Sequence, residues 1–384
     1  MQVEPWSVVE ELAVAVGGRD SDVQEVVDRV GPAAVVDVLV AEIAARAVAP
    51  AGVAGIPIAL EVLSGSEVTA RTVSFVDSVL RAGADEATDL VVLRYEVVDL
   101  VRLVFRNRDG YESSSQQVRL PVPSDPGLAD REARLLAKKK FDGTLRTMQA
   151  VIAAITAPTP GLAELATRFG SDKWGFLHWY TPHYHRHFQA MRFEPVRVLE
   201  IGIGGYDDER AGGGSLAMWQ EYFPRGLVYG LDIFPKEIAG PRIRTVVGDQ
   251  GDAAGLAAFA AEHGPFDIVI DDGSHRNEHV RTSFEALFPH VRPGGYYVIE
   301  DLQTSYWPEF GGQRPPGSSA TTMGLLKELL DGIHRREYDT VDDDAAWAAG
   351  HPSDVFVTHN LAFLGKGINH EQGAPAWLRQ GGAV

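Results

Sequence analysis

The sequence predicts an α/β protein in which a smaller α+β domain precedes a mostly parallel, doubly wound sheet with an antiparallel last strand. In the second half of the chain, short apolar runs that end near an acidic residue alternate with segments of helical spacing, as in βαβ units. The first half has helix-like and strand-like segments but no recognisable catalytic constellation. Because Pro158 and Pro160 break the pattern, we expect domains at residues 1–157 and 158–384.

Composition excludes several classes of function. A chain of 384 residues with a formal charge of −18 does not suit binding to nucleic acid or to an anionic membrane. The absence of cysteine excludes a thiolate metal site, so any metal must be held by oxygen or imidazole. The first residues carry no basic segment and no apolar run could span a bilayer, so we expect a cytoplasmic protein.

The first domain is expected to begin and end with helices. Apolar residues at helical spacing over residues 7–49 predict two or three helices, with breaks at Gly17-Gly18 and Gly31-Pro32. Between residues 56 and 122, shorter alternating runs predict strands, one of them over residues 90–105, with a turn at residues 107–110. A helical pattern returns over residues 128–156.

The second domain begins with a segment dense in aromatic and histidine residues, 169–188. This segment could overlie a ligand pocket, or it could be a folded cap whose polar tips find partners in the interior.

The first strand of the second domain ends in an acid and a glycine cluster. Residues 196–202 read VRVLEIG, and Gly204 and Gly205 follow. Glycine lets bare backbone approach a ligand. Position 207 is Asp, so the pattern departs from the dinucleotide fingerprint G-x-G-x-x-G/A. The remaining acid-x-G-x-G, from Glu200 to Gly204, resembles the first motif of class I S-adenosylmethionine (SAM) methyltransferases.

Four more strands are predicted, each with an acid at or near its end, over residues 228–233, 243–250, 266–272 and 295–301. Helices are expected between them, for example over 252–263 and 278–291. The last part of the chain predicts a helix over 323–336 and an antiparallel hairpin around His359 and Asn360 at the sheet edge.

The strand-end acids predict a nucleoside site, although each by itself could cap a helix or lie in a solvated turn. Carboxyl ends of parallel strands meet at one crevice. Glu200 would lie near the glycine loop, Gly202 and Gly204 fit the methionine part of SAM, and Asp232 suits the ribose hydroxyls. Asp249 and Gln250 are expected to meet an adenine edge. No phosphate receptor accompanies them, which favours SAM over a dinucleotide.

Two acidic clusters predict a metal site. Asp272 follows the fourth strand, and Glu300 and Asp301 follow the fifth. If these strands are neighbours, three carboxylates meet, and such a group is either partly protonated or neutralised by a cation. Oxygen ligands without thiolate favour Mg²⁺, with Mn²⁺ as a tolerable substitute.

A histidine three residues beyond Asp272 is the candidate general base. A divalent cation lowers the pKa of a bound hydroxyl, and the imidazole of His275 could take its proton so that the oxygen attacks the SAM methyl. The alternative is a histidine that only caps its loop.

The chain resembles the macrolide-sugar O-methyltransferase family in five segments: GSDKWG (170–175), YTPHY (180–184), LEIGIGG (199–205), DDGSH (271–275) and IED (299–301). The resemblance implies a Rossmann-like class I fold and Mg²⁺- and SAM-dependent methylation of a deoxysugar hydroxyl on a glycosylated, macrolide-like natural product. It carries the metal over to Asp272, Glu300 and Asp301 and the base to His275. Lys173, Tyr180 and Asp271, which lie in these segments, are expected on the SAM side.

The resemblance also implies a homo-oligomer, a tetramer, whose N-terminal auxiliary domain takes part in assembly and closes the active site of a neighbouring subunit. Three other functions stay open from the residues: a metal-dependent O-methyltransferase of a catechol or phenol, an NAD-dependent oxidoreductase, and a binding module without catalysis.

Overall fold

The computed structural model describes residues 4–83, 90–106, 113, 115–120, 131–175, 177–314, 317, 319–337 and 344–368. These residues build two sheets, one of five strands and one of seven.

Three helices open the chain, at the upper end of the predicted number: α1 (Pro5–Ala15), α2 (Asp20–Val30) and α3 (Pro32–Arg46). Gly31 separates α2 from α3 with a φ of 91°, in the left-handed region that side-chain-bearing residues rarely adopt. Proline then starts α3 at a position where the missing N–H costs nothing.

The five-stranded sheet has the order β3-β2-β1-β4-β5. Only β1 and β4 are parallel to each other. Two helices complete this part, α4 and α5. The bounds are β1 (Ile58–Ser64), β2 (Glu67–Val76), β3 (Val79–Gly83), β4 (Val92–Glu96), α4 (Val97–Phe105), β5 (Gln117–Arg119) and α5 (Arg131–Thr156).

The strand predicted over residues 90–105 is wrong in its second half, because α4 occupies Val97–Phe105. A nearly continuous apolar run does not by itself distinguish a buried strand from a buried helix. In the folded chain, α4 packs against α3, and its buried Arg102 donates to the carbonyl of Val16 and to Asp20. The turn predicted at residues 107–110 lies outside the described residues.

The seven-stranded sheet has the order β11-β12-β10-β9-β6-β7-β8. Strand β12 is antiparallel to β10 and β11, while the remaining pairs are parallel, which confirms the predicted sheet and its edge hairpin. The strands are β6 (Arg197–Ile201), β7 (Leu227–Asp232), β8 (Ile243–Val247), β9 (Phe266–Asp271), β10 (Val291–Glu300), β11 (Asp354–Thr358) and β12 (Leu361–Gly365).

Helices precede and connect these strands. They are α6 (Leu162–Phe169), α7 (Thr181–Phe188), α8 (Gly214–Tyr222), α9 (Ala253–His263), α10 (Asn277–Leu287), α11 (Thr322–Ile333) and α12 (Asp344–Gly350). The chain runs outward from β6 through β7 to β8 and then returns to β9 on the other side of β6. The order therefore reverses between β6 and β9, where doubly wound sheets form their ligand crevice.

The two parts of the chain share a hydrophobic core. Buried residues of α1, α3 and α4 belong to the same cluster as those of β6 and β7. Trp6 on α1 lies edge-on to Tyr229 on β7, with ring centroids 5.4 Å apart. The domain boundary at residue 157 falls just after α5 and stays a prediction.

None of the described helices has the length and apolar character needed to cross a membrane. The cytoplasmic location stays a prediction.

Candidate active site

The glycine turn after β6 is shaped by a close backbone approach. Gly202 and Gly204 have φ values of 88° and 77°, which favour glycine. A Cβ on Gly202 would collide with the backbone oxygen of Asp272. Glycine at this position therefore lets the loop after β9 lie directly against the turn after β6.

Asp232 lies at the carboxyl end of β7 and is held by the backbone. Its Oδ2 accepts the N–H of Ile203 at 2.8 Å, and its Oδ1 accepts the N–H of Phe234 at 3.0 Å. Each oxygen keeps acceptor capacity for a further donor. Ile233 and Phe234 expose apolar side chains next to it. The arrangement can therefore accept hydroxyl groups beside a flat apolar surface.

Asp249 and Gln250, expected together at an adenine edge, lie in different environments. Asp249 is exposed, and its Oδ1 accepts the N–H of Gly251 at 2.8 Å. Gln250 is buried, and its Oε1 accepts the N–H of Ser274 at 2.8 Å while its Nε2 donates to Asp271 at 2.7 Å. The structure therefore leaves the Asp249 carboxylate exposed, whereas the Gln250 amide is bonded to the loop after β9.

Asp271 also differs from its expected place on the SAM side. It is buried, and it accepts hydrogen bonds from Gln250, from the Ser283 hydroxyl and from the Tyr297 hydroxyl. Burial raises the pKa of Asp271 to about 6. The Asp271 side chain thus supports the loop after β9 from the protein interior, whereas the side chain of the next residue, Asp272, is partly exposed to solvent.

The structure brings Asp272, His275 and Asp301 together. One ligand atom from each lies within 4.8 Å of the others, and we call these three residues the outer set. His275 Nε2 is 3.5 Å from Asp301 Oδ2. His275 and Asp301 have φ values of 55° and 57°, which are uncommon for residues other than glycine. Such strained backbone is found most often where function requires a particular side-chain direction.

A second set shares Asp272 with the first. Glu200, Asp272 and Glu300 also offer ligand atoms within 4.8 Å of one another, and we call them the inner set. Of the three predicted metal ligands, Glu300 therefore lies in the inner set and Asp301 in the outer set. Asp272 is common to both.

A lysine lies against the inner set. Lys173 Nζ is 2.6 Å from Glu300 Oε1, 2.7 Å from Asp272 Oδ2 and 3.1 Å from Glu200 Oε1. Burial by itself would lower the pKa of Lys173, but the carboxylates of Asp272, Glu300 and Glu200 raise it well above its ordinary value. The side chain is therefore an ammonium. The sequence predicts that clustered acids are partly protonated or neutralised by a cation, and Lys173 supplies one positive charge among them.

The buried acids of the inner set have further donors. Burial and the nearby Asp272 raise the pKa of Glu300 well above its ordinary range, and Lys173 opposes this. The Tyr184 hydroxyl donates to Glu300 Oε1. The Ser215 hydroxyl donates to Glu200 Oε2 at 2.8 Å. Glu200 is fully buried by these contacts and does not face the crevice.

The aromatic segment before β6 supplies contacts to Asp301 as well. The Tyr180 hydroxyl donates to Asp301 Oδ1 at 2.9 Å, and His178 Nε2 lies 3.5 Å from the same oxygen. His178 stacks on Tyr180 with ring centroids 4.4 Å apart. Lys173 and Tyr180, expected on the SAM side, therefore both contact the acidic sets. His178, Tyr184 and Ser215 were not predicted as site residues, although residues 169–188 had been noted for their rings.

The edge hairpin reaches the same place. The turn between β11 and β12 contains Asn360, whose φ is 63°. Its carbonyl accepts the N–H of Leu302 at 3.3 Å and lies 3.2 Å from the Tyr180 hydroxyl. The hairpin thus supports the loop that carries Asp301.

The outer set fits a hard divalent cation. Asp272 and Asp301 offer carboxylate oxygens, and His275 is beside them; all three are partly exposed. Mg²⁺ prefers one or two carboxylates and keeps its other positions for water or substrate oxygens. The site therefore has the chemistry to bind Mg²⁺ next to an imidazole and next to a glycine turn.

Two family models match the chain. One described as MycE methyltransferase N-terminal matches residues 9–116, and one described as a methyltransferase domain matches residues 209–302.

Close relatives match almost the whole chain. The demethylmacrocin O-methyltransferase of Streptomyces fradiae is 46% identical over 378 residues, which cover 97% of this chain and 94% of the relative. The mycinamicin VI 2''-O-methyltransferase of Micromonospora griseorubida is 43% identical over 381 residues, with 97% and 94% covered.

A solved structure has the same fold. It is that of the MycE methyltransferase from the mycinamycin biosynthetic pathway in complex with Mg, SAH and mycinamycin VI. It matches with a TM-score of 0.84 and 43% identity and covers 97% of this chain and 96% of that one.

Proposed function

Since the chain belongs to the family of class I, SAM-dependent O-methyltransferases that includes the demethylmacrocin and mycinamicin VI enzymes, we propose that it methylates a hydroxyl of a deoxysugar on a glycosylated natural product. The acceptor would be a macrolide-like antibiotic precursor. The observation that carries the proposal is the meeting of Asp272, Asp301 and His275 beside the Gly202 turn, at the point where the strand order reverses.

SAM would supply the methyl group, and Mg²⁺, with Mn²⁺ as a substitute, would supply positive charge that acidifies a nearby hydroxyl. The residues proposed to hold SAM are Gly202 and Gly204 through their bare backbone, Asp232 through the ribose hydroxyls, and the exposed Asp249. The fixed carboxylate of Asp232 supports this assignment, because its position is set by the N–H groups of Ile203 and Phe234 before any ligand binds.

The residues proposed to hold Mg²⁺ are Asp272, Glu300 and Asp301. Asp272 and Asp301 belong to the partly exposed outer set. Glu300 Oε1 accepts hydrogen bonds from Lys173 and Tyr184, so Oε2 is the oxygen of Glu300 that can bind the metal. This set of oxygens suits a metal that also takes up the oxygens of a sugar diol.

His275 is proposed as the general base. Its Nε2 can take the hydroxyl proton while the acceptor oxygen forms a bond to the methyl carbon and the carbon–sulfur bond breaks, which leaves SAH. Asp301 Oδ2, 3.5 Å from this nitrogen, stabilises the imidazolium that results. The left-handed backbone at His275 supports the proposal, because this conformation costs free energy and such strained residues cluster at functional sites.

The assembly is proposed to be a homo-oligomer, a tetramer, in which residues 1–157 contribute to subunit contacts and to closing a neighbour's site. Exposed apolar side chains on the five-stranded sheet, and one directly after β5, support a contact role. They are Val68, Val76, Val79, Val118 and Leu120. Light scattering coupled to size exclusion tests this, and a monomeric mass at micromolar concentration would contradict it.

The activity is tested with purified protein, SAM, Mg²⁺ and demethylmacrocin or mycinamicin VI, with catechol as a competing acceptor. We expect a singly methylated macrolide and no turnover of catechol, as judged by mass spectrometry. Turnover of catechol alone would assign the enzyme to phenol methylation. Calorimetry should also detect binding of SAM and not of NAD.

The base is tested with His275→Ala. We expect the rate to fall by about 10²- to 10⁴-fold, the range typical of general acid–base catalysis, with the affinity for SAM preserved. His263→Ala, at the end of α9 just before β9, is the matched control and should retain activity. A His275 variant that turns over at the parent rate would show that another group takes the proton.

A further inference from the structure

The ammonium of Lys173 has no part in the proposed methyl transfer, yet its surroundings are those of a cation site. The side chain is fully buried and reaches Glu200, Asp272 and Glu300, which lie at or next to the carboxyl ends of β6, β9 and β10. These three strands are neighbours in the middle of the sheet. The ammonium donates to Asp272 and Glu300, and Glu200 Oε1 lies 3.1 Å from it as an ion-pair partner.

The inner and outer sets differ in their access to solvent. The side chains of Glu200 and Glu300 in the inner set are 0% and 1% exposed. Those of Asp272, His275 and Asp301 are 22%, 25% and 15% exposed. An acceptor hydroxyl can therefore approach a cation in the outer set, whereas a cation in the inner set would be enclosed by protein.

We propose that Lys173 is a positioning residue that serves as a built-in cation: it pairs with the buried oxygens of the inner set and thereby directs a single divalent cation to the solvent-accessible side, where Asp272 and Asp301 lie beside His275 and Glu300 offers its remaining oxygen. The inference rests on the proposed metal-dependent function. Its basis is the geometry of two carboxylate sets that share Asp272, of which one is filled by an ammonium.

Charge supports the assignment. The inner and outer sets together hold four carboxylates, those of Glu200, Asp272, Glu300 and Asp301. Lys173 places one positive charge against the buried carboxylates of the inner set. Unpaired carboxylates buried in protein are costly, so an inner set without lysine should attract a cation from solution in competition with protons.

The test is to count and characterise bound Mn²⁺ in the absence of SAM and acceptor. Electron paramagnetic resonance measures free Mn²⁺, and water-proton relaxation reports how many waters the bound ion keeps. We expect one hydrated Mn²⁺ per chain in the wild type. Lys173→Met should bind two, the second with little bound water, and methyl transfer should fall about 10- to 100-fold, as when a residue that orients metal ligands is removed.

Two variants serve as controls. Lys173→Arg keeps a cation in the inner set and should still bind one Mn²⁺. In the double variant Lys173→Met with Glu200→Gln, the inner set also loses the carboxylate of Glu200, which is not a predicted metal ligand. The number of bound Mn²⁺ ions should therefore return to one per chain. A Lys173→Met protein that binds one Mn²⁺ with wild-type affinity and relaxation overturns the inference.

Stability provides a second measurement if Lys173→Met is too unstable for counting. Thermal melting of Lys173→Met and Lys173→Gln is measured with and without Mn²⁺. The ion should raise the melting temperature of these variants more than that of the wild type, and an equal or smaller rise would contradict the inference. A wild type that binds no Mn²⁺ would instead contradict the metal-dependent function. In that case a Lys173→Met variant that gains one Mn²⁺ would still support the inner-set role.

Discussion

Arg242 Nε donates to Glu42 Oε1 over 2.8 Å, and both side chains are buried. Glu42 lies on α3, whereas Arg242 directly precedes β8, so this pair joins the two parts of the chain. The other Arg242 nitrogens donate to the carbonyls of Gln220, Phe223 and Gly226, and Glu42 Oε2 accepts from Arg46. The N-terminal part is thus joined to the methyltransferase sheet by a fully paired buried network as well as by a shared core.

Arg242→Met should destabilise the whole chain. The change leaves Glu42 buried with Arg46 as its remaining charged partner, and breaking a buried ion pair on one side costs about 3–5 kcal/mol. Denaturant unfolding measures the loss. Arg71→Met is the matched control, because its pair with Asp37 is far more exposed and should be worth at most about 1 kcal/mol. Equal midpoints for the two variants would mean that the buried network does not stabilise the domain contact.

Asp232→Ala should weaken SAM binding. The substitution removes the acceptor for the N–H groups of Ile203 and Phe234 and the proposed acceptor for ribose hydroxyls. Loss of a hydrogen bond to a charged group costs about 1.5–3 kcal/mol, or about 10- to 150-fold in affinity. Calorimetry gives the dissociation constant. Asp28→Ala, on the exposed surface of α2, should bind SAM as the wild type does; an unchanged constant in Asp232→Ala would remove Asp232 from the cofactor site.

Asp301→Asn should reduce the affinity for Mg²⁺. Asp301 is one of two carboxylates in the outer set, and it also holds His275, His178 and Tyr180. At Mg²⁺ concentrations of about 100 times its dissociation constant, the wild type should gain about 2.7 kcal/mol of stability. The variant should gain clearly less, and chelation should abolish methyl transfer in the wild type.

Thermal melting with and without Mg²⁺ provides this comparison. Glu285→Gln removes an exposed carboxylate of α10 and serves as the control. The assignment would be contradicted if Mg²⁺ stabilised Asp301→Asn as much as Glu285→Gln.

The stability of the protein should fall in mild acid through His187. Burial, and then the neighbouring Arg186, lower the pKa of His187 below its ordinary 6.5, while Asp354 opposes this. The unfolded chain therefore binds the proton more tightly than the folded one, so stability present above about pH 6.5 is lost as the pH falls below it. The buried Nε2 has no hydrogen-bond partner among the described residues, and the ring stacks on Phe363.

His187→Phe should keep the stacking and lose the titration, so its melting temperature should fall less between neutral and mildly acidic pH. His185→Gln, on the exposed side of α7, is the control and should follow the wild type. A parallel acid response in all three proteins would assign the loss to other groups.

The sequence by itself determined the sheet of the second domain, the neighbouring acids at the strand ends and the glycine turn. These features are carried by residues close together in the chain: the apolar period defines each strand, and parallel strands bring their carboxyl ends to one edge. The candidate metal ligands Asp272, Glu300 and Asp301 and the candidate base His275 were predicted in this way, since the carboxyl ends of neighbouring parallel strands converge.

Tertiary structure decided which way the strand-end side chains point and what meets them. The side chains of Gln250 and Asp271 are buried and bonded to Ser274, Ser283 and Tyr297, and α4 is a helix that packs against α3. Lys173 fills the inner set from 99 residues before Asp272 and 127 before Glu300. Such partners are chosen by packing between segments distant in the chain, and no local pattern contains that information.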